Sequence, residues 1–274
     1  MLRQFDLCSG VGAGFPLAGV ITKEFELIGL CEIDEWCRGI LRRRFPGVTR
    51  LTDVKEYKWE RFSSRFKFLP EVVTASPPCQ PFSVQGKRRG VDDERDCFGA
   101  VTRAIAGVKP RYFAIENVCG LLNCPLRPGD EKLYFQKLLF DFHCCGYDVE
   151  WLTVSSGHFG SPWIRERLLL VGISHRLEFD TRNATPWNEQ VRAAIKIDRL
   201  SDSKTGSQPG ISRSSFGDSR WLDKRTGKTY RYGVGGRSAD TRRRREALGN
   251  ALDPNVAAIA LNRILYWESL ISVS

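Results

Sequence analysis

Short apolar runs alternate with amphipathic stretches from residue 2 to about residue 174. Stretches with helical spacing of apolar residues lie at 15–20, 35–45, 98–108 and 131–144. A strand followed by a helix, repeated in this way, is typical of parallel strands with helices on both faces. We therefore predict an α/β fold with a doubly wound, mostly parallel sheet. The predicted strands are LRQFDL, FELIGLCE, EVVTAS, RYFAIEN, DVEWLTV and RLLLVGI.

The pattern changes after Ser174, where the sequence becomes polar and rich in Gly and Ser. Within this part, RWLDKRTGKTYRY alternates apolar and polar residues on each side of a Gly-containing turn, which predicts a β-hairpin. We expect an α/β domain over residues 1–175 and a separate small region over residues 176–236.

The last segment, residues 237–274, contains a further predicted helix from Asp253 to about Leu270. Asp253 suits the N-cap and Pro254 the first helical position, and apolar residues follow at helical spacing. Because the small region can hardly provide a core for that apolar face, we expect the helix to pack back on the α/β domain.

Positive charge is concentrated in one part of the chain. The formal net charge is +10 over 274 residues, yet residues 176–245 hold 17 Lys or Arg against 8 Asp or Glu, and the remainder holds 25 against 24. A solvated basic surface would explain such an excess, but its segregation favours contact with phosphates of a nucleic acid.

Other bulk features exclude several classes of protein. No apolar run is long enough to cross a bilayer, and the N-terminus lacks the blocks of a signal peptide. The nine cysteines show no spacing typical of a zinc site. We therefore expect a cytoplasmic protein with reduced thiols, no membrane partner and no metal.

A glycine-rich loop follows the first predicted strand. In FDLCSGVGAGF, Gly10, Gly12 and Gly14 precede a helix, where they would let the backbone approach a ligand. Glu32 ends the second strand, a place where an acidic residue commonly accepts hydrogen bonds from a ribose. An ordinary turn with a surface acid is the alternative; together the two features favour a nucleoside-containing cofactor.

The segment SPPCQPFS places Cys79 among three prolines after the strand EVVTA. Prolines restrict the backbone to few conformations, and a rigid loop can position a nucleophile. A thiolate is a strong nucleophile near neutral pH once its pKa is lowered. A buried structural thiol is the alternative. The strand RYFAIEN ends with Glu116 and Asn117 at the same predicted edge, where burial would raise the pKa of Glu116 and suit it to donate a proton.

Together these segments resemble the C5-cytosine DNA methyltransferases. The resemblance follows FDLCSGVGAG, Glu32, SPPCQPFS, ENV, IRERLLLVG and GNALDPNVA in family order, and covers most of the chain outside residues 176–236. It implies a Rossmann-like S-adenosylmethionine-dependent methyltransferase fold, in which residues 1–175 form the cofactor-binding catalytic domain and residues 176–236 the small, basic target-recognition region. It also implies that Cys79 attacks C6 of a cytosine flipped out of double-stranded DNA, which then receives a methyl group at C5.

The resemblance also assigns roles to individual residues. Glu116 would engage the N3 edge of the base, and Arg165 and Arg167 would contact the base and nearby backbone. The cofactor pocket would be formed by Cys8, Gly10, Gly12, Glu32, Ile33, Asp53, Asn250 and Ala251. Contacts with DNA are expected from Gln80, Ser83, Lys87, Arg88, Arg225, Lys228, Arg231 and Arg243.

The chain departs from the family pattern at several positions. Cys8 stands where members usually have Phe, Trp163 where they usually have Gln, and Phe98 where Leu is common. Two alternatives stay open. One is a tRNA cytosine-5 methyltransferase, since one branch of the family acts on RNA; the other is a DNA-binding homologue without turnover, which Cys8 and Trp163 favour. We expect a monomeric enzyme of prokaryotic or phage origin, with a cognate restriction endonuclease as a further candidate partner.

Overall fold

The computed structural model describes residues 1–66, 68–83, 88–159, 165–182, 184–193, 219–223, 228–232, 243, 247 and 251–271. The strands are β1 (Leu2–Leu7), β2 (Phe25–Cys31), β3 (Thr49–Leu51), β4 (Val72–Ala75), β5 (Tyr112–Asn117), β6 (Tyr147–Ser155), β7 (Glu166–Ser174), β8 (Ser219–Asp223) and β9 (Lys228–Tyr232). The helices are α1 (Phe15–Thr22), α2 (Glu35–Arg44), α3 (Phe62–Arg65), α4 (Phe98–Val108), α5 (Tyr134–Cys144) and α6 (Pro254–Ser269).

Seven strands form one sheet in the order β3-β2-β1-β4-β5-β7-β6. The pairs from β3 to β5 are parallel, whereas β7 runs antiparallel to both β5 and β6. The predicted mostly parallel α/β sheet is therefore confirmed. Since β7 is reversed, its first residues lie at the same edge as the last residues of β5.

Both faces of the central strands are buried. Alternate residues of each strand point to opposite faces, so neighbours in sequence pack into different core clusters. Val73 and Phe113 belong to a core cluster with residues of α4 and α5. Val72 and Tyr112, their neighbours in sequence, belong to a second cluster with α1 and α6. Such burial on both faces explains why β4 and most of β5 read as continuous apolar runs.

Polar caps determine where two of the helices begin. The side chain of Asp34 accepts a hydrogen bond from Cys37 N (2.8 Å) before α2, and Asp253 accepts one from Asn255 N (2.9 Å) before α6. These caps satisfy amide groups that have no partner in the first helical turn.

The predicted start of α5 at Glu131 is wrong, since the helix begins at Tyr134. Leu133 forms an isolated antiparallel bridge with Pro125, and Tyr134 N donates to Cys124 O (2.9 Å). These contacts hold the residues before Tyr134 in an extended conformation.

The chain divides into two compact units, residues 1–191 with 251–274, and residues 192–250. The first boundary lies later than residue 175, because Trp187 is buried and Val191 packs against the core cluster that contains α1 and α6. In the second unit, β8 and β9 form an antiparallel pair in which Trp221 lies opposite Tyr230. Among the residues described, no helix has the length and apolar character needed to cross a membrane.

Candidate functional site

The carboxyl ends of β1, β2, β4 and β5 meet at one edge of the sheet, since these strands are parallel. The loop after β1 contains Gly10 and Gly12, both with positive φ (54° and 71°). Gly10 N donates to Glu32 Oε2 (2.6 Å) at the end of β2, and Asp34 N donates to Glu32 Oε1 (2.8 Å). Glu32 therefore joins the glycine loop to the segment that follows β2.

Two arginines of α2 hold the same two segments through their backbone oxygens. Arg38 Nη1 donates to the carbonyl oxygens of Glu32 (3.0 Å) and Ile33 (2.5 Å), and Arg44 Nη1 donates to Val11 O (2.8 Å). The sequence did not predict either arginine as a site residue, because a hydrogen bond from a side chain to a backbone carbonyl leaves no pattern in the sequence.

Carboxylates surround this part of the edge. Burial raises the pKa of the Cys31 thiol, and the negative charges of Glu32, Asp53 and Asp6 raise it further. Glu32 and Asp53 therefore bring negative charge to this edge, which favours a cationic ligand. Ile33, beside them, is 68% exposed and offers an apolar surface at the same place.

Cys8 lies in the left-handed region (φ 54°) and contacts a second cysteine. A hydrogen bond with Cys97 raises the pKa of the Cys8 thiol, as does burial, whereas the same bond lowers the pKa of Cys97. Cys8 thus packs against the start of α4 and against the core. All nine cysteines are free thiols.

A buried polar network lies directly under the glycine loop. Thr74 Oγ1 donates to Asp6 Oδ1 (2.5 Å) and accepts from Gln4 Nε2 (3.0 Å). Burial raises the pKa of Asp6 to about 7, although hydrogen bonds from Thr74 and Ser9 lower it. Asp6 was not predicted as a site residue, although a charged residue within an apolar strand, four positions before Gly10, was a signal that could have identified it.

We expect Asp6→Asn to remove a pH-dependent loss of stability. The folded-state pKa is raised, so the contribution of Asp6 is fully present below its unfolded-state pKa near 3.9 and is lost as the pH rises to about 7. From pH 4 to pH 8, the free energy of unfolding of the parent should fall by up to about 4 kcal/mol relative to that of the variant. Urea unfolding at several pH values measures it, with exposed Asp130→Asn as control. Parallel curves for Asp6→Asn and the parent would contradict it.

The Cys79 loop follows β4 and is held by backbone hydrogen bonds. Phe82 N and Ser83 N both donate to Cys79 O (3.0 and 2.9 Å). Asn117 Nδ2, at the end of β5, donates to Pro77 O (3.1 Å). The amide oxygen of Gln80 is buried, and the described part of the chain offers it no hydrogen-bond partner. The loop therefore has a fixed backbone and a polar atom that can receive a ligand's donor.

Glu116 and Arg167 form an ion pair beside this loop, with Arg167 Nε 2.7 Å from Glu116 Oε1. Their side chains are 11% and 12% exposed. Burial raises the pKa of Glu116, while Arg167, Arg165 and a hydrogen bond with Ser76 lower it. The pairing arises from the antiparallel register, in which Glu116 lies opposite Leu169 and Asn117 opposite Leu168.

The charges of this pair act on the Cys79 thiol. Burial raises its pKa, and the carboxylate of Glu116 raises it further, whereas Arg167 and Arg165 lower it. Protonation of Glu116 would remove the opposing negative charge and favour the thiolate. The site can therefore couple the protonation of an acid to the activation of a nucleophile.

The remaining predicted site residues lie in different places. Arg165 Nη1 donates to Ala251 O (3.3 Å), which brings two predicted residues together. Arg88 Nη2 donates to Asn123 Oδ1 (2.6 Å) and Gly120 O (3.3 Å). Arg243 is exposed, and Lys228 and Arg231 lie on β9. Lys87, Trp163, Arg225 and Asn250 lie outside the described residues.

The chain is similar in sequence to bacterial type II methyltransferases. Type II methyltransferase M.NgoFVII of Neisseria gonorrhoeae is 28% identical over 193 residues, covering 69% of this chain and 48% of the relative. Type II methyltransferase M.AplI of Arthrospira platensis is 34% identical over 171 residues, covering 62% and 44%. The chain thus spans about half the length of these relatives or less.

A solved structure has the same fold at low sequence identity. The structure of a mutant of Spodoptera frugiperda DNMT2 matches with a TM-score of 0.53 and 18% identity, covering 68% of this chain and 54% of that one. In sequence, the pattern of the C-5 cytosine-specific DNA methylases matches residues 2–230. The chain belongs to the C-5 cytosine-specific DNA methylase family.

Proposed function

We propose that the chain transfers a methyl group from S-adenosylmethionine to C5 of a flipped-out cytosine in double-stranded DNA, through a covalent bond between Cys79 Sγ and C6. The observation that carries the proposal is the arrangement of Cys79 on its fixed loop beside the buried Glu116–Arg167 pair. A thiol alone would be consistent with a structural role. A buried acid and two arginines acting on that thiol support a covalent mechanism.

The residues around the glycine loop and Glu32 support binding of the cofactor. S-adenosylmethionine supplies an electrophilic methyl group from a sulfonium when it is bound. The charges of Glu32 and Asp53 suit a ligand with positive groups. Each Glu32 oxygen accepts one backbone amide and keeps acceptor capacity for ribose hydroxyls. Ile33 would pack on the adenine ring, and Gly10 leaves open space where a side chain would stand.

The chain's own residues would carry the remaining steps on the base. The Cys79 thiolate adds to C6, and the proton held by Glu116 neutralises the charge that develops on the ring at N3. Addition gives C5 the character of an enamine carbon, which accepts the methyl group. The C5 proton then passes to solvent, and the C5–C6 double bond forms again as the bond between Sγ and C6 breaks. The proton at N3 returns to Glu116, and the thiolate of Cys79 leaves.

Gly10 and Gly12 should respond differently to alanine. A Cβ at Gly10 meets nothing within 4 Å, so Gly10→Ala should cost about 1 kcal/mol of stability for its φ of 54° and mainly weaken binding of S-adenosylmethionine. A Cβ at Gly12 would lie 2.6 Å from Phe45 Cε2 and 2.8 Å from Leu41 Cδ2, so Gly12→Ala should cost more stability. Urea unfolding and calorimetric titration of the cofactor measure the two effects. Equal losses of stability would contradict the difference.

We propose double-stranded DNA as the partner because positive charge is concentrated in one part of the chain. Residues 176–245 hold 17 of the chain's 42 Lys and Arg residues, and basic residues can neutralise phosphates of any sequence. The relatives named type II methyltransferases favour a cytoplasmic role alongside a restriction endonuclease with the same target site.

The test is base-resolution sequencing of methylated cytosines in DNA from a bacterial host without endogenous methylation. The host expresses the chain or its Cys79→Ser variant. We expect one short methylated motif with the parent and none with the variant. Methylation of tRNA alone, or none from protein that is folded and binds DNA, would contradict the proposed function and favour the RNA enzyme or the silent homologue.

A further inference from the structure

Two of the chain's three histidines meet one aspartate at the sheet edge opposite the catalytic edge. His143 lies near the end of α5, Asp148 near the start of β6, and His175 directly after β7. One ligand atom from each side chain lies within 4.8 Å of the others. His175 Nε2 is 3.1 Å from Asp148 Oδ1, and the two imidazole rings lie 5.3 Å apart.

The backbone holds all three residues in place. His175 N donates to Gly146 O (2.9 Å), and Gly146 N donates to His143 O (2.9 Å). Asp148 pairs with Ile173 in the antiparallel ladder of β6 and β7. The cluster therefore depends on hydrogen-bonded main chain from three elements rather than on one flexible loop.

We propose that His143, Asp148 and His175 form a surface site for a divalent transition-metal ion, of which Zn²⁺ is the representative. Two imidazoles and one carboxylate are ligands that Zn²⁺ accepts, with water completing a tetrahedral set. Ligand atoms in such a site lie about 3.3 Å apart, given bonds of about 2.0–2.1 Å. The present separations need only small rotations of exposed side chains to reach that spacing.

Neighbouring charged and sulfur groups are compatible with this site. Arg176 is directed elsewhere, since its guanidinium donates to Lys109 O (2.6 Å) and Pro110 O (3.1 Å), and Nε donates to Ser174 Oγ (3.0 Å). Cys144 is exposed next to His143 in sequence. A thiolate would also bind Zn²⁺, so the experiment has to distinguish sulfur ligands from nitrogen and oxygen ligands.

The proposed metal site is separate from the chemistry proposed for the chain. Arg167 and Ser174 lie near opposite ends of β7, about 23 Å apart at a rise of about 3.3 Å per residue. A metal ion there would join the end of α5 to the β6–β7 pair without touching cofactor or base. Failure of methyl transfer would therefore say nothing about metal binding, and the reverse also holds.

The experiment is titration of the reduced 274-residue chain with Co²⁺ and Zn²⁺, followed by absorption, calorimetry and ¹⁵N spectra of the imidazoles. We expect one ion per chain, with shifts in the ring nitrogens of His143 and His175. His175→Gln and Asp148→Asn should each weaken binding at least about tenfold. His158→Gln, which removes the third histidine, should leave affinity unchanged, and Mg²⁺ should not compete because it prefers oxygen ligands.

Two results would overturn the proposal. Intense near-ultraviolet charge-transfer bands with Co²⁺, lost in Cys144→Ser but kept in His175→Gln, would assign the ion to thiolates. Unshifted ring nitrogens of His143 and His175 at saturating Zn²⁺ would show that the histidines do not bind it. Because all three ligands are exposed, the variants should fold like the parent, and circular dichroism checks this.

Discussion

Cys79→Ser is expected to abolish methyl transfer, lowering its rate by at least about 10⁴-fold, while DNA and cofactor binding are retained. A serine hydroxyl occupies nearly the same space on the loop held by Phe82 N and Ser83 N, so the fold should be unaffected. It is a far weaker nucleophile than a thiolate at neutral pH, and the addition to C6 requires one.

The covalent bond can be observed directly with DNA that contains 5-fluorocytosine. Fluorine at C5 leaves no proton to lose after methylation, so the parent should remain attached to the DNA through Cys79, as denaturing electrophoresis and peptide mass spectrometry would show. Cys79→Ser should give no adduct. Cys144→Ser, at an exposed cysteine, is the matched control and should trap DNA like the parent. Methylation by Cys79→Ser at the parental rate would refute the covalent mechanism.

Arg167→Met should destabilise the chain and slow the reaction. Removing one partner of a buried ion pair leaves the Glu116 carboxylate without its counter-charge, which costs about 3–5 kcal/mol. The rate should also fall, because Arg167 lowers the pKa of the Cys79 thiol and its loss leaves less thiolate. Thermal and urea unfolding, with transfer rates measured below the melting temperature, separate the two effects.

The loss of stability in Arg167→Met should depend on pH. Burial raises the pKa of Glu116, and loss of Arg167 raises it further. A raised pKa means that stability is present below the unfolded-state pKa and is lost as the pH rises through the folded-state pKa. The variant should therefore approach the parent at acidic pH and differ most at alkaline pH.

Two comparisons test that explanation. Arg182→Met removes the same side chain from an ion pair with Asp180 that is largely exposed, and should change stability little. Adding Glu116→Gln to Arg167→Met should restore much of the lost stability, because no buried charge is then left unpaired. A loss of stability in Arg167→Met that is the same at all pH values would contradict the role given to Glu116.

The sequence predicted the positions at strand ends better than the contacts between them. Cys79 and Glu116 end or follow apolar runs, so the parallel topology alone predicts that they share one edge. The short strand β3 was not predicted, because Thr49–Leu51 has no apolar run. Arg38 donates to the carbonyl oxygen of Glu32, six positions earlier, and Arg88 to that of Gly120, 32 positions later. Only the folded chain identifies these acceptors.

The sequence also did not predict the metal site or the boundary of the first unit, because both depend on contacts between residues that are far apart in the chain. His143 and His175 are 32 positions apart, without a spacing that indicates a shared ligand, and the β6–β7 register brings them together. Trp187 lies in a polar part of the sequence that composition assigned to the small region, yet it packs into the core with α1 and α6. The burial of this one aromatic side chain places the segment in the first unit, although the residues around it are polar.

The packing of α6 against α1 has a consequence for synthesis on the ribosome. Phe15 and Ala18 of α1 share a core with Val256, Ala260 and Ile264, which are translated more than two hundred residues later. At about 5–20 residues per second, the apolar side of α1 waits on the order of ten seconds or more for its partner. A nascent chain of this length is therefore expected to need protection by chaperones until α6 emerges, and truncations before Pro254 should aggregate.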